Sequence, residues 1–132
     1  VMIEAGGLKL RVAGRVDRID LLKDATFEII DYKTGGFFED AWKGTFDGGR
    51  RLQHALYGLA AVELLKRKFK KPVVKQAQYY FSSTKGQQHR KMIDAPTKAE
   101  LGKVLGHLQY VIAKGLFIHT PDKADHKFCH YG

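Results

Sequence analysis

The stretch EIIDYKTG, residues 28–35, places an acid and a base two positions apart in an otherwise apolar segment. Successive side chains of a β-strand point to opposite faces, so Asp31 and Lys33 are expected to share one face with Ile29, while Tyr32 takes the other. The simplest interpretation of a D-x-K triplet is an ion pair at the end of a strand. The rest of the chain decides whether this triplet also carries chemistry.

The composition predicts one domain spanning residues 1–132. With 132 residues, 44% hydrophobic and 28% charged, the chain has material for a single core. No apolar run approaches the ~20 residues that span a bilayer and no signal-peptide pattern is present, which predicts a cytoplasmic protein. The single cysteine, Cys129, excludes an intrachain disulfide framework. Because the sequence starts at Val1 and stops abruptly, we interpret it as a piece of a longer protein.

The net charge of +9 is concentrated in one segment. Residues 50–91 hold eleven Lys and Arg against one acid, Glu63, which gives +10; the remainder holds twelve against thirteen, which gives −1. Such a concentration is typical of a polyanion binder, with nucleic acid the commonest case. A solvated helix end favoured by the macrodipole would also explain KRKFKK at 66–71, so both interpretations stay open.

Hydrophobic periodicity predicts strands, a helix, strands and a second helix, which together make a mixed sheet with helices packed on it, an α/β or α+β domain. The predicted elements are a hairpin about Gly6-Gly7 entering a long strand that ends at Leu22, a strand over 25–33, a loop over 34–49, a helix from Arg50 to about Phe69, strands over 73–83 and 87–95, and a helix after Thr97. Thr97 and Glu100 should form a capping box at the start of the last helix. The buried stripe predicted for that helix is Leu101, Val104, Leu105, Leu108 and Ile112.

Asp17 stands fourteen residues before Asp31, in the preceding predicted strand. If the two strands pair across a short turn, the carboxylates converge at one end of the sheet, where they repel each other unless a cation lies between them. Mg²⁺ suits such a site because it binds through one or two carboxylates together with substrate phosphate. Gly14 leaves room for close backbone approach at this edge. Lys33 could then orient an attacking water and stabilise charge on the phosphate.

The predicted helix adds polar groups in RRLQHALYGLA, residues 50–60. Gln53 and Tyr57 lie four residues apart and therefore on one helical face, from which their tips can reach phosphates or the attacking water. Arg50 and Arg51 are candidate phosphate contacts beside them. His54 is either a further phosphate contact or a partly exposed helix histidine.

Three segments, GRVDRID at 14–20, IIDYKTG at 29–35 and LQHALY at 52–57, together resemble the motifs of the RecB/AddB branch of the PD-(D/E)XK nuclease superfamily. The resemblance implies a restriction-endonuclease-like core and a metal-dependent DNA nuclease that serves recombination and repair, with DNA and a helicase subunit or domain as partners. It also implies roles for single residues: Asp17, Asp31 and the Tyr32 carbonyl would hold Mg²⁺ or Mn²⁺, Lys33 would assist the hydrolytic water, and Gln53 and Tyr57 would support the site and touch DNA.

The chain departs from that branch in two ways. Many relatives have an upstream helix that adds a His or Glu to the metal site, and Glu4 is not assigned that role. AddB-like relatives also carry an iron–sulfur cluster; Cys129 matches one of its C-terminal cysteines, but His126 stands where another would be, so no cluster is predicted. Asp20 is expected to be structural, in an ion pair with Arg18 or Arg15.

Two other functions remain open from the sequence. One is a non-catalytic DNA-binding or scaffolding lobe of the same fold, and the other is a general polyanion binder in which D-x-K is accidental. His126, Cys129 and His130 offer at most two good zinc ligands, fewer than the usual four, so no zinc site is predicted.

Overall fold

The computed structural model describes residues 1–39, 44, 46, 51–94 and 98–116. Within them the chain forms six strands and two helices, in the order β1 Met2–Ala5, β2 Leu8–Arg11, β3 Arg18–Lys23, β4 Thr26–Lys33, α1 Gln53–Leu65, β5 Val73–Phe81, β6 His89–Asp94 and α2 Lys98–Ala113. A single 3₁₀ turn, Thr84–Gly86, joins β5 to β6. Four residues of the sequence-based predictions, Arg50, Thr97, His126 and Cys129, lie outside the described residues, as does His130.

A four-stranded sheet in the order β3-β4-β5-β6 forms the centre of the fold, with β1 and β2 paired as a separate hairpin. The pairs β3/β4 and β5/β6 are antiparallel, whereas β4 and β5 run parallel. Parallel neighbours need a long crossover, and α1 provides it. The predicted mixed sheet flanked by helices is therefore confirmed, and the long connection returns the chain to the same sheet with the helix lying on one face.

The long strand predicted from Leu8 to Leu22 is wrong, because the chain breaks it into β2 and β3, which lie in different sheets. Gly14 lies in the break, where the lack of a side chain weakens strand structure. The predicted hairpin about Gly6-Gly7 is confirmed, and both glycines have positive φ, +59° and +77°. This backbone conformation is open to glycine without strain.

Two clusters of buried side chains meet on opposite sides of α1. Ala61 packs against the sheet, in a cluster with Phe27, Ile29, Val74 and Ala77. Ala55 packs on the other side, in a cluster with Ala5 of β1 and Leu101 of α2. The small side chains let the sheet, α1 and the hairpin with α2 approach closely, so α1 lies between the sheet and the hairpin with α2.

The stripe predicted to be buried along α2 is buried only at its beginning. Leu101 is 1% exposed and Leu105 is half-buried, but Leu108 and Ile112 are 42% and 65% exposed. The close approach of α2 to the hairpin occurs in its first turns, where Gly102 lies against Gly6. No helix in the described part of the chain combines the length and apolar character that crossing a membrane requires.

Candidate active site

The site begins where β4 leaves the core. Phe27 and Ile29, which face α1, are 4% and 2% exposed. The next two residues on that face are Asp31 and Lys33, whose side chains are 15% and 34% exposed. Because side chains alternate along a strand, Asp31 and Lys33 lie on the same face of β4 as the buried residues Phe27 and Ile29. The packing of those two apolar side chains therefore positions the charged pair.

Asp31, Lys33 and Gln53 form a closed polar network. Lys33 Nζ lies 2.5 Å from Asp31 Oδ2. It also donates a hydrogen bond to Gln53 Oε1 at 3.2 Å. Gln53 Nε2 in turn donates to Asp31 Oδ1 at 3.3 Å. Each side chain is oriented by the other two, so the arrangement is more than the simple ion pair that D-x-K alone suggests.

Asp17 joins this network through the backbone. It directly precedes β3, and the pairing of Arg18 with Ile30 places it at the position opposite Asp31. Its Oδ2 accepts a hydrogen bond from the backbone N–H of Tyr32 at 3.0 Å. Asp17 is therefore held beside the end of β4 by a hydrogen bond to the residue that follows Asp31, and the convergence of the two carboxylates stays a prediction.

The available donors fit a divalent metal ion that binds with few protein ligands. No group of three His, Cys, Asp or Glu side chains suited to a metal occurs among the described residues. Asp31 Oδ2, however, is buried and accepts no hydrogen bond within the described part, although it is in ion-pair contact with Lys33. A carboxylate has about four acceptor sites, so Asp31 and Asp17 retain the hard oxygen donors through which Mg²⁺ binds, with waters and phosphate completing its shell.

Tyr57 lies one helical turn after Gln53 and lines the same cavity as Gln53 and Asp31. A methyl group at Gly14 would lie 2.6 Å from its hydroxyl oxygen, so a residue with a side chain could not occupy position 14 without moving Tyr57. Gln53 and Tyr57 both line a cavity of about 10 Å³ beside Asp31. A volume of that order holds about one water molecule.

His54 is buried, and the expectation of a partly exposed helix histidine is wrong. Its side chain is 4% exposed, lies beside the ring of Phe46 and has Nδ1 3.3 Å from the Tyr79 hydroxyl. Burial lowers the pKa of His54, which favours the neutral imidazole. In this position His54 contacts Tyr79 inside the protein, and its ring is too buried to contact a DNA phosphate.

Tyr79 is the site residue that the sequence analysis missed. It lies directly opposite Asp31 on β5. The ammonium of Lys33 lies 5.3 Å from its ring centroid, a cation–π distance. Burial raises the pKa of Tyr79 to about 12, so its hydroxyl stays protonated. The sequence predicts a strand that contains Tyr79. It does not show that this strand pairs parallel to β4, which is the pairing that places Tyr79 opposite Asp31.

Two further predicted residues can be placed. Arg51 is half-buried and lies two residues before Gln53, the first residue of α1. Asp20 pairs with Arg18, with Nε and Oδ1 2.7 Å apart, which confirms its predicted structural role.

Comparison with known proteins identifies the family of the chain. No curated protein and no solved structure matches the chain. A family model described as the PD-(D/E)XK nuclease superfamily matches residues 1–131. The chain therefore belongs to the PD-(D/E)XK nuclease superfamily, whose members are nuclease-type hydrolases that act on nucleic acid and generally use divalent metal ions.

Proposed function

We propose that the chain is a metal-dependent deoxyribonuclease that hydrolyses phosphodiester bonds in DNA. The observation that carries the proposal is the closed network of Asp31, Lys33 and Gln53, with Asp17 bonded to the next backbone N–H. We further propose Asp17, Asp31 and the Tyr32 carbonyl as the groups that hold Mg²⁺ or Mn²⁺.

Each side chain of the network has a distinct part in the reaction. A bound divalent ion would polarise the scissile phosphate and make water a better nucleophile. Lys33 has three N–H donors, of which one is given to Gln53 and one faces Asp31, so the third can orient the attacking water or stabilise charge on the phosphate. Gln53 holds Lys33 and Asp31 at fixed separation, which favours the geometry of attack. Tyr57 closes the side of the site against Gly14.

DNA is proposed to lie across the start of α1, where Arg51 and Arg50 would contact phosphates and Gln53 and Tyr57 would face the strand that is cut. Contacts of this kind fix position and carry no sequence information. The affinity should therefore fall steeply with salt, and six phosphate contacts would give a slope of about −5 in log K against log salt.

The finer assignment rests on the resemblance of the three motifs. We propose membership of the RecB/AddB-like branch, an exonuclease-like action in DNA recombination and repair, a cytoplasmic location and a helicase subunit or domain as partner. We also propose that residues 1–132 make one nuclease domain.

Cleavage of linear DNA with Mg²⁺ or Mn²⁺ tests the proposal, with Asp31→Asn as the variant. The substitution keeps the shape of the side chain but removes the charge that holds both the metal and Lys33, so cleavage should fall by at least about 10²-fold, in the range found when one transition-state contact is removed. Asp94→Asn, at the exposed end of β6, is the matched control with the same charge change. Equal cleavage by both variants would contradict the proposal.

A second candidate is a non-catalytic DNA-binding lobe of the same fold. It is favoured by one observation, that no third acidic or histidine ligand accompanies the two aspartates in the described part of the chain. DNA binding of equal strength in the wild type and in Asp31→Asn, with no cleavage by either, would identify this function.

A further inference from the structure

The cations that follow α1 lie at the opposite end of that helix from the candidate active site. We call Arg67, Lys68, Lys70, Lys71 and Lys75 the distal cationic surface. α1 starts at Gln53 in the site and has 13 residues, so its far end is about 20 Å away at ~1.5 Å per residue. At that end Phe69 packs on Phe27, with ring centroids 5.0 Å apart, and Val73 N–H donates to the Ala25 carbonyl. Both contacts are at the beginning of β4, whereas Asp31 is near its end.

The segment that carries these cations is held firmly. The backbone N–H groups of Lys68 and Phe69 both donate to the Leu65 carbonyl at 2.9 Å. Phe69 packs against the core cluster under the sheet, and Pro72 is buried. The positive charges are therefore presented from an anchored turn and the first residues of a central strand, with a fixed spacing between them.

None of the five cations forms an ion pair with another described residue, and all five are exposed. Lys66, by contrast, pairs with Glu63 at 2.6 Å. Attraction to the helix C-terminus explains the cations next to Leu65, because that effect fades within about one turn. It does not explain Lys70 and Lys71, which come five and six residues after the helix ends, or Lys75 on β5.

We propose that the distal cationic surface is a second contact for the DNA backbone, which holds the duplex flanking the cut while cleavage occurs about 20 Å away; the inference rests on the proposed nuclease function. Lysines suit this task because they act as point charges toward phosphate. A single strand would be expected to use exposed aromatic rings for stacking. Phe69, the aromatic ring within this segment, packs against the core. Double-stranded DNA is stiff over this length and can bridge the two places.

The separation sets a length requirement. About 20 Å corresponds to about six base pairs at ~3.4 Å per pair. A duplex that extends well beyond that length on one side of the cut reaches the distal cationic surface, and a shorter one contacts only the active site. Removing the distal charges should therefore weaken binding of long duplexes and leave short ones unaffected.

The test compares Lys68→Gln/Lys70→Gln/Lys71→Gln with a matched control, Lys9→Gln/Lys103→Gln/Lys114→Gln, which loses the same charge at exposed positions on β2, in α2 and just after it. Binding of a 30-base-pair duplex and of a hairpin with a four-base-pair stem, which at ~3.4 Å per pair is about 14 Å long and shorter than the separation, is measured in EDTA over a range of salt, so that no cleavage is needed. For the long duplex the salt slope of the distal variant should be shallower by about 0.9 for each phosphate that a lysine no longer neutralises, or about 2.7 in total. The control should keep the wild-type slope, and the short hairpin should bind all three proteins alike.

The outcomes separate this inference from the proposed function. An unchanged slope in the distal variant overturns the distal contact, and so does an equal change in the control, which would reflect net charge alone. If the wild type cleaves DNA under either of these outcomes, the nuclease function stands without the second contact. If the slope changes as expected but the wild type never cleaves, the second contact stands and the nuclease function fails.

Discussion

His54 shows how a residue on a functional helix can act without touching the substrate. It directly follows Gln53, yet its side chain is 4% exposed and its Nε2 has no hydrogen-bond partner among the described residues. Nδ1 lies beside the Tyr79 hydroxyl, and Tyr79 lies opposite Asp31 on the neighbouring strand. His54 thus connects α1 to β5 behind the charged network, and its neutral form suits a place where a charge would be desolvated.

Burial of His54 predicts that the protein loses stability in mild acid. The folded-state pKa of His54 is lowered from the unfolded value of 6.5, so the unfolded chain binds the proton first as pH falls. The contribution of His54 is complete above pH 6.5 and is lost as pH falls through the lowered folded-state pKa, by at most about 1.4 kcal/mol per pH unit. Urea unfolding at pH 7.5 and 5.5 should show this loss in the wild type, and a smaller loss in His54→Phe. Parallel pH profiles for the two proteins would contradict it.

At the scale of the elements, α1 and α2 are held by close approaches of small residues. Gly102 of α2 lies against the backbone of Gly6 in the hairpin, where an added methyl group would be 2.6 Å from the Gly6 Cα. Gly106, one turn later in the same helix, has no heavy atom within 4 Å of the corresponding position. The same residue type therefore has a packing role at one position of α2 and none at the other.

Substitution of these two glycines by alanine should have opposite effects on the free energy of unfolding. Alanine is favoured over glycine inside a helix by about 1 kcal/mol, so Gly106→Ala should stabilise the protein by about 0.5–1 kcal/mol. Gly102→Ala gains the same propensity but forces α2 away from the hairpin backbone, and overpacking of this kind costs about 1–3 kcal/mol. Chemical denaturation of both variants measures the difference. A stabilised Gly102→Ala would show that the hairpin and α2 do not need this approach.

The sequence predicts the elements whose signals are local. The alternation of apolar residues in 26–33 predicts β4, and the glycines of the first hairpin predict the β1/β2 pair. The helical spacing of apolar residues after Arg51 predicts α1. The break between β2 and β3 was missed because the apolar pattern continues through 12–17, while the strands separate into different sheets. The exposed end of α2 was missed because periodicity shows which face is apolar and not what covers it.

The residues of the candidate site also differ in whether the local sequence indicates them. Asp17, Asp31, Lys33 and Gln53 could be found because each stands in a short motif, and a neighbouring antiparallel pair brings Asp17 beside Asp31. Tyr79 could not be found, because it reaches Asp31 through a parallel pairing across the long connection that contains α1. Residues joined by such distant pairings leave no mark in local spacing.

In the part of the molecule that the structure describes, charge is divided along α1: the acidic oxygens and Lys33 lie at the start of the helix, and the distal cationic surface follows its end. The net charge of +9 favours association of the protein with a polyanion. At the start of α1, Asp31 Oδ2 forms an ion pair with Lys33. A divalent ion bound at the proposed site would be attracted by both aspartates and repelled by the Lys33 ammonium, so its affinity would depend on the balance of these charges.

Metal binding should raise the stability of the whole domain, because the two aspartates are brought together only in the folded chain. A ligand that binds the folded state alone adds about 2.7 kcal/mol at a hundred times its dissociation constant. Thermal unfolding with increasing Mn²⁺ or Mg²⁺ should therefore show a rising melting temperature for the wild type and for Asp94→Asn. Asp31→Asn loses one of the two carboxylates and should show little or no rise. If Asp31→Asn is stabilised as much as the control, the ion binds elsewhere, and the hydrogen bond from the Tyr32 N–H to Asp17 would be structural, as would the network that joins Asp31 to Lys33 and Gln53.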